Sequence, residues 1–163
     1  MALFRRGIDI EVEEEGEILR IKGRLADERF AEDLHIIEAE MLVSAVDGVI
    51  LDISASLPHT PLDECRNARS AVEKLQGVTI KPGFSDLVRR VLGSPEGCIH
   101  LANLVTNMGN VSVQGRAAYA HRHPQKGETA KRMLENAEQL GLINSCVSWR
   151  EDGPILAEPA DAA

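Results

Sequence analysis

An α+β domain is the fold class that the sequence predicts: an N-terminal antiparallel β-sheet followed by a cluster of about four helices. Three observations predict it. Apolar and polar residues alternate from Ile8 as far as Leu57. From Pro61 onward the apolar period lengthens to that of helices. Glycines also fall where each periodic run stops, at Gly16, Gly48, Gly77, Gly93 and Gly141.

The first strand is carried by Ile8, Ile10 and Val12, which alternate with acids. Gly16 breaks the run, and Ile18 to Ile21 follow as the hairpin partner. In the next segment the odd positions Ile37, Ala39, Met41 and Val43 are apolar, and so are Val49, Leu51, Ile53, Ala55 and Leu57 after a turn. A three-residue loop, Val46-Asp47-Gly48 with Gly48 in the left-handed conformation, keeps both odd sets on one face. It pairs Val43 with Leu51, Met41 with Ile53 and Ala39 with Ala55. Continued to the strand ends, that register sets His35 opposite His59 on the buried face.

The helices follow. Leu62, Cys65, Ala68, Ala71, Val72 and Leu75 form one stripe, with Pro61 in the first turn and Gly77 past the end. After the strand-like Val78-Thr79-Ile80, a second helix carries Phe84, Leu87, Val88, Val91 and Leu92 and closes at Gly93. A third begins near Pro95-Glu96-Gly97, bears Leu101, Leu104, Val105 and Met108, and is expected to loosen at Gly109 and Gly115. His121 to Gly127 reads as a polar loop. Ala130, Met133, Leu134, Ala137 and Leu140 form a fourth helix, ended by Gly141. Ile143 to Trp149 reads as a short strand or extended tail. Residues 1–150 are expected to form a single domain, with 151–163 as a frayed C-terminal tail.

Composition narrows the function classes. Of 163 residues, 26 are Asp or Glu and 18 are Lys or Arg, a formal charge of −8. That excess of acid argues against nucleic acid as a partner, because phosphate backbones require a basic footprint. No stretch approaches the ~20 apolar residues that cross a bilayer. The opening arginines lack an apolar region behind them, so no membrane partner and a cytoplasmic location are expected. A protein partner or a homo-oligomer stays open. The three cysteines Cys65, Cys98 and Cys146 are too few for a disulfide framework and are expected to be reduced.

Cys98-Ile99-His100 is the sharpest local signal. It follows Gly97 and opens an amphipathic helix, where unpaired N–H groups and the helix dipole favour thiolate. Thiolate and imidazole are also the ligand types that zinc and iron prefer. Residues two apart do not share a helix face, but the first turn is half helical and convergence stays open. Cys65 on its apolar stripe reads by default as core, and His35 on an inward strand face reads as a hydrogen-bonded core histidine. There is no P-loop, dinucleotide fingerprint, His-Glu-x-x-His or paired Cys-x-x-Cys.

The stretch LQGVTIKPGFSDLVRRVLGSPEGCIHLANLV resembles the signature block of the prokaryotic family called domain of unknown function 2889. Members run as Leu-x-Gly-x-x-Ile-x-x-Gly-Phe, a short helix, then Gly-Cys-Thr-His-Leu. Gly77, Ile80, Gly83, Phe84, Gly97, Cys98, His100 and Leu101 fall on that pattern, with Ile99 in place of Thr. DLHIIEAEM is similar to the family's Ile-His-Asp-Met strand through His35. Cys65 falls where members carry a cysteine, with Arg66 in place of a following proline. INSCVSWREDGPI resembles the closing Cys-His-Ala and Asp-Gly stretch through Cys146, with Val147 in place of histidine. The likeness runs from about Ile18 to Ile155 and implies no established activity. In layout, early strands followed by helices with Cys/His groups at helix starts are similar to iron–sulphur cluster scaffolds, although the Cys-Gly and Gly-Cys-Gly loops of those proteins are missing.

These readings converge on a metal-binding protein. His35, Cys65, Cys98 and His100 are expected to meet at the sheet–helix junction, with His59 or Cys146 as substitutes. Four closed ligands imply structural zinc, whereas three with an open position permit catalysis or iron-cluster transfer. The alternatives are a thiol enzyme, with Cys98 as nucleophile and His100 or His35 as base, and a non-catalytic binding or oligomer-forming domain.

Overall fold

The computed structural model describes residues 2–123, 137–138, 140–153 and 156. The chain divides into two compact units, Met1–Tyr119 and Ala120–Ala163. In the first, four antiparallel strands, β1 (Phe4–Glu15), β2 (Ile18–Arg29), β3 (Glu32–Ser44) and β4 (Ile50–His59), form one sheet in sequence order. Each strand therefore pairs with its chain neighbour through a tight hairpin. Gly16 sits at φ +65° in the first turn, where two-residue hairpins require positive φ. In the second turn the same demand falls on Phe30 (φ +55°) and Ala31 (φ +68°), neither of them a glycine.

One face of the sheet is apolar. Leu19, Ile21, Leu25, Ile37, Met41 and Val43 are fully or almost fully buried there, all at odd positions. Gly48 adopts φ +74° as the sequence requires, and Met41–Ile53 and Ala39–Ala55 pair as expected. The expected pairing of Val43 with Leu51 is not formed. Val43 faces Ile50, and the ladder shifts by one residue between Leu42 and Val43. That bulge buries Ile50 and turns Leu51 outward. A second irregularity, between Ile36 and Glu38, sets His59 opposite Ile36 rather than His35. His59 is exposed and its Nε2 lies 3.0 Å from the Asp33 carbonyl.

Asp63–Leu75 is a 3₁₀ helix that buries Ala68, Ala71, Val72 and Leu75. Leu62, Cys65, Ala68 and Ala71 are spaced by three, the repeat of a helix with three residues per turn. Thr79 bridges Val49, and the Ile50 and Ile80 amides donate to Val78 and Gly48, which seats Val78–Ile80 beside the start of β4. Then come α1 (Phe84–Leu92), whose last turn Gly93 closes, and α2 (Ile99–Arg122).

Gly109 and Gly115 do not loosen α2, which runs unbroken for 24 residues. Both glycines are contact points. A Cβ at Gly109 would lie 2.4 Å from the Phe84 ring, and one at Gly115 would lie 2.8 Å from Val12. Close packing outweighs the ~1 kcal/mol helix penalty of glycine. On the sheet side Gly23 has the same role, admitting Met108 and Leu104. At the far end of the helix, the buried Arg116 donates to the Ala45 and Val46 carbonyls of the β3–β4 loop.

Among the described residues three helices of more than one turn follow the sheet, not four. The fourth, expected over Ala130 to Leu140, falls mostly outside them, as does most of the expected polar loop, whose His121 and Arg122 end α2. Leu142–Trp149 is made of turns and a single 3₁₀ turn (Val147–Trp149) instead of a strand. No described helix is long and apolar enough to cross a membrane.

Candidate functional site

The site lies at the end of the sheet where β1 and β3 begin and β2 ends. Arg6, Asp27 and His35 are direct cross-strand neighbours on three adjacent strands, and all three project from the helix-bearing face. A register shift beside Asp27 leaves Leu34 as the extra residue of β3. Asp27 is fully buried and His35 is 8% exposed.

A buried carboxylate needs partners, and Asp27 has them. Arg6 grips it as a fork: Nε donates to Oδ1 at 2.7 Å and Nη2 to Oδ2 at 2.7 Å. His35 Nδ1 donates to Oδ2 at 3.1 Å, since a carboxylate oxygen can only accept. The first turn of α2 closes the cluster. The His100 ring lies 4.0 Å from that of His35, centroid to centroid, and its Nε2 is 3.9 Å from Asp27 Oδ2. The opposite nitrogen, Nδ1, faces Cys98 Sγ at 3.8 Å. Cys98 stands just ahead of the helix, its carbonyl accepting from the Ala102 amide. Residues two apart thus do converge, because one of them precedes the helix.

The electrostatics follow from this geometry. The Arg6 guanidinium holds the Asp27 carboxyl below its ordinary range, and Asp27 in turn raises Arg6. Burial lowers the His100 imidazole, assisted by His35 and Arg6 and opposed by Asp27. His100 is therefore the neutral imidazole that a metal or a proton acceptor requires.

A base lowered in the folded state stabilises the fold fully above its unfolded pKa of about 6.5, and that contribution is lost as pH falls below it. Asp27, lowered below an unfolded value of about 3.9, adds a second loss further into acid. The melting temperature is expected to fall as pH drops below about 6.5, and His100→Asn should flatten that limb. A wild-type and variant pair falling in parallel would contradict this assignment.

The structure brings together two of the residues nominated from sequence, His35 and His100, and sets Cys98 against the second. Cys65 is half-buried on the 3₁₀ helix and does not join the cluster. His59 lies on the exposed face of β4, and Cys146 is exposed in the second unit. Asp27 and Arg6 escaped sequence reasoning, yet each carries a signal. Asp27 is in phase with Leu19, Ile21 and Leu25, and Arg6 with Ile8, Ile10 and Val12. A charge on the apolar parity of a strand either breaks the strand or is buried with a partner.

Asp27, His35 and His100 form a group whose donor atoms all lie within 4.8 Å of one another. No curated protein and no solved structure matches the chain. Residues 4–114 match the family described as "Protein of unknown function (DUF2889)", a span that includes Arg6, Asp27, His35, Cys98 and His100. With more than half of its length matched, this chain belongs to the DUF2889 family.

Proposed function

We propose that this chain binds a divalent transition metal, zinc or iron, through His35 Nδ1, His100 Nε2 and Asp27 Oδ2, the proton that His35 Nδ1 shares with Asp27 moving to Nε2 or to solvent as the metal takes its place. The observation that carries the reading is the mutual approach of these three donors within 4.8 Å. Metal–ligand bonds of about 2.0–2.2 Å place neighbouring donors roughly 3.0–3.5 Å apart. The 3.1 Å between Asp27 and His35 fits such an edge, and the 3.9 Å to His100 needs a shift of about half an ångström. Two imidazoles and one carboxylate leave coordination positions open, the pattern of a reactive rather than a purely structural site. Arg6 stays on Oδ1 and fixes the carboxylate plane, as outer partners of metal ligands do. Cys98 is not in the ligand set, since it faces the nitrogen of His100 that points away from Asp27.

Zinc titration of the metal-free chain, followed calorimetrically, tests the reading. One equivalent is expected to bind, and His35→Ala and His100→Ala should each weaken binding by at least about a hundredfold while Cys65→Ser and Cys146→Ser leave it unchanged. Binding that survives both histidine variants would overturn it.

A second reading has its own observation. The Cys98 thiol stands 3.8 Å from His100 Nδ1 at the start of a 24-residue helix. Here Cys98 is a nucleophile, His100 takes its proton, and Asp27 stabilises the resulting imidazolium. The readings separate under a chelator. A thiol enzyme keeps a fast, His100-dependent alkylation of Cys98, whereas under the metal reading Cys98 alkylates no faster than Cys146.

A further inference from the structure

Strand β1 is an edge of the sheet. Among the described residues it pairs on one side only, along all 12 of its residues. A row of open backbone donors and acceptors that long is a template for another strand, and proteins normally blunt it with proline, a bulge or inward charges. β1 contains no proline, its pairing with β2 runs without a register shift, and its inward charge, Arg6, is neutralised by Asp27 of the same chain. Ile8 is 38% exposed on the apolar face, and Ile10 and Val12 are half-buried beside it.

The charges along β1 are sorted. Arg5 and Arg6 stand at the beginning, and Glu11, Glu13, Glu14 and Glu15 fill the second half. Parallel addition of an identical strand would set like on like. Antiparallel addition reverses one copy and brings the arginines to the glutamates.

From this ordering we infer that the partner of β1 is β1 of a second copy, paired antiparallel about a two-fold axis through Ile10 to make a continuous eight-stranded sheet. An axis perpendicular to the sheet keeps even positions opposite even ones, so the helices of both copies share one face. Centring on Ile10 then pairs Ile10 with itself, Ile8 with Val12 and Arg5 with Glu15. Centring on Asp9 would set Asp9 against itself and Arg6 against Val12. In the chosen register the cost is Asp9 opposite Glu11, on the water-facing side.

Arg6 is committed to Asp27 of its own chain, so the charge argument rests on Arg5 and Glu15. The Arg5 side chain is 75% exposed and its contact with Glu28 is long, 3.9 Å. Glu15, bonded to Arg20, is 47% exposed and retains free lone pairs for a second cation.

Sedimentation of the full chain over a concentration series tests the inference. Wild type is expected to be a dimer, and Arg5→Glu and Glu15→Arg should each weaken it at least about tenfold, with the double exchange restoring it. A wild type that stays monomeric, or a dimer indifferent to both single changes, overturns it. Register is read separately in a chain whose three native cysteines are serine. Ile10→Cys should cross-link to its own copy on mild oxidation and Ile8→Cys should not, and the reverse result overturns the two-fold through Ile10. Neither measurement involves metal, so its failure is distinct from failure of the site.

Discussion

Asp27→Ala is expected to cost about 3–5 kcal/mol of folding stability, measured by urea denaturation, because it strips a buried pair of one member. Asp27 is fully buried and accepts both arms of Arg6 and the His35 N–H. Its removal leaves the guanidinium beside two imidazoles with no carboxylate to receive it. The Arg6 side chain keeps 31% exposure and can turn part of its charge to water, which places the effect toward the lower end of that range. Arg6→Met combined with Asp27→Leu should recover most of the loss, since exchanging a whole buried ion pair for apolar groups is often neutral. The same double variant should not bind zinc. If Asp27→Ala proves as stable as wild type, the Arg6–Asp27 fork is not part of the folded state.

The second large effect is expected at Gly97. A Cβ there would lie 2.1 Å from the Leu92 carbonyl oxygen and 2.7 Å from its carbon. These are backbone atoms at the end of α1, so no side-chain rotation relieves the clash and the chain itself must move. Overpacking of this kind costs about 1–3 kcal/mol, and contact with main chain puts Gly97→Ala at the upper end. The displaced segment leads straight into Cys98 and His100. Gly97→Ala is therefore expected to lose zinc affinity as well as stability, whereas Gly77→Ala, with open space at its Cβ but φ +81°, should lose stability alone. Unaltered zinc binding in a folded Gly97→Ala protein would show that the start of α2 does not set the site.

Much of this fold is legible in alternation alone. The parity of Ile37, Ala39, Met41 and Val43 placed His35 inward, and Gly48 announced the left-handed turn that joins β3 to β4. What the alternation could not show is where a strand gains a residue. The bulge beside Val43 exchanges Ile50 for Leu51, and both are large aliphatics with equal claim to the core. The shift before Glu38 likewise took His59 off the register of His35. Composition also misleads about α2, because Gly109 and Gly115 read as breakers until Phe84 and Val12 are seen against them. Half of the site, His35 and His100, could be named from residue type. The other half is Arg6 and Asp27, charges that become conspicuous once β2 is known to extend through Arg29.

The neighbour-to-neighbour strand order bears on how the site comes into being. Arg6, Asp27 and His35 belong to three consecutive strands joined by tight turns, so a chain emerging from synthesis can complete that ladder from its first few dozen residues. His100 arrives much later, and α2 is held by contacts as distant in sequence as Arg116 with Ala45, 71 positions apart. Closing so large a loop carries an entropic cost that the local hairpins do not, and is expected to follow them. Until it closes, the greasy side of the sheet lies bare and the histidine pair is incomplete. The step that covers the sheet is then also the step that carries His100 to Asp27 and His35.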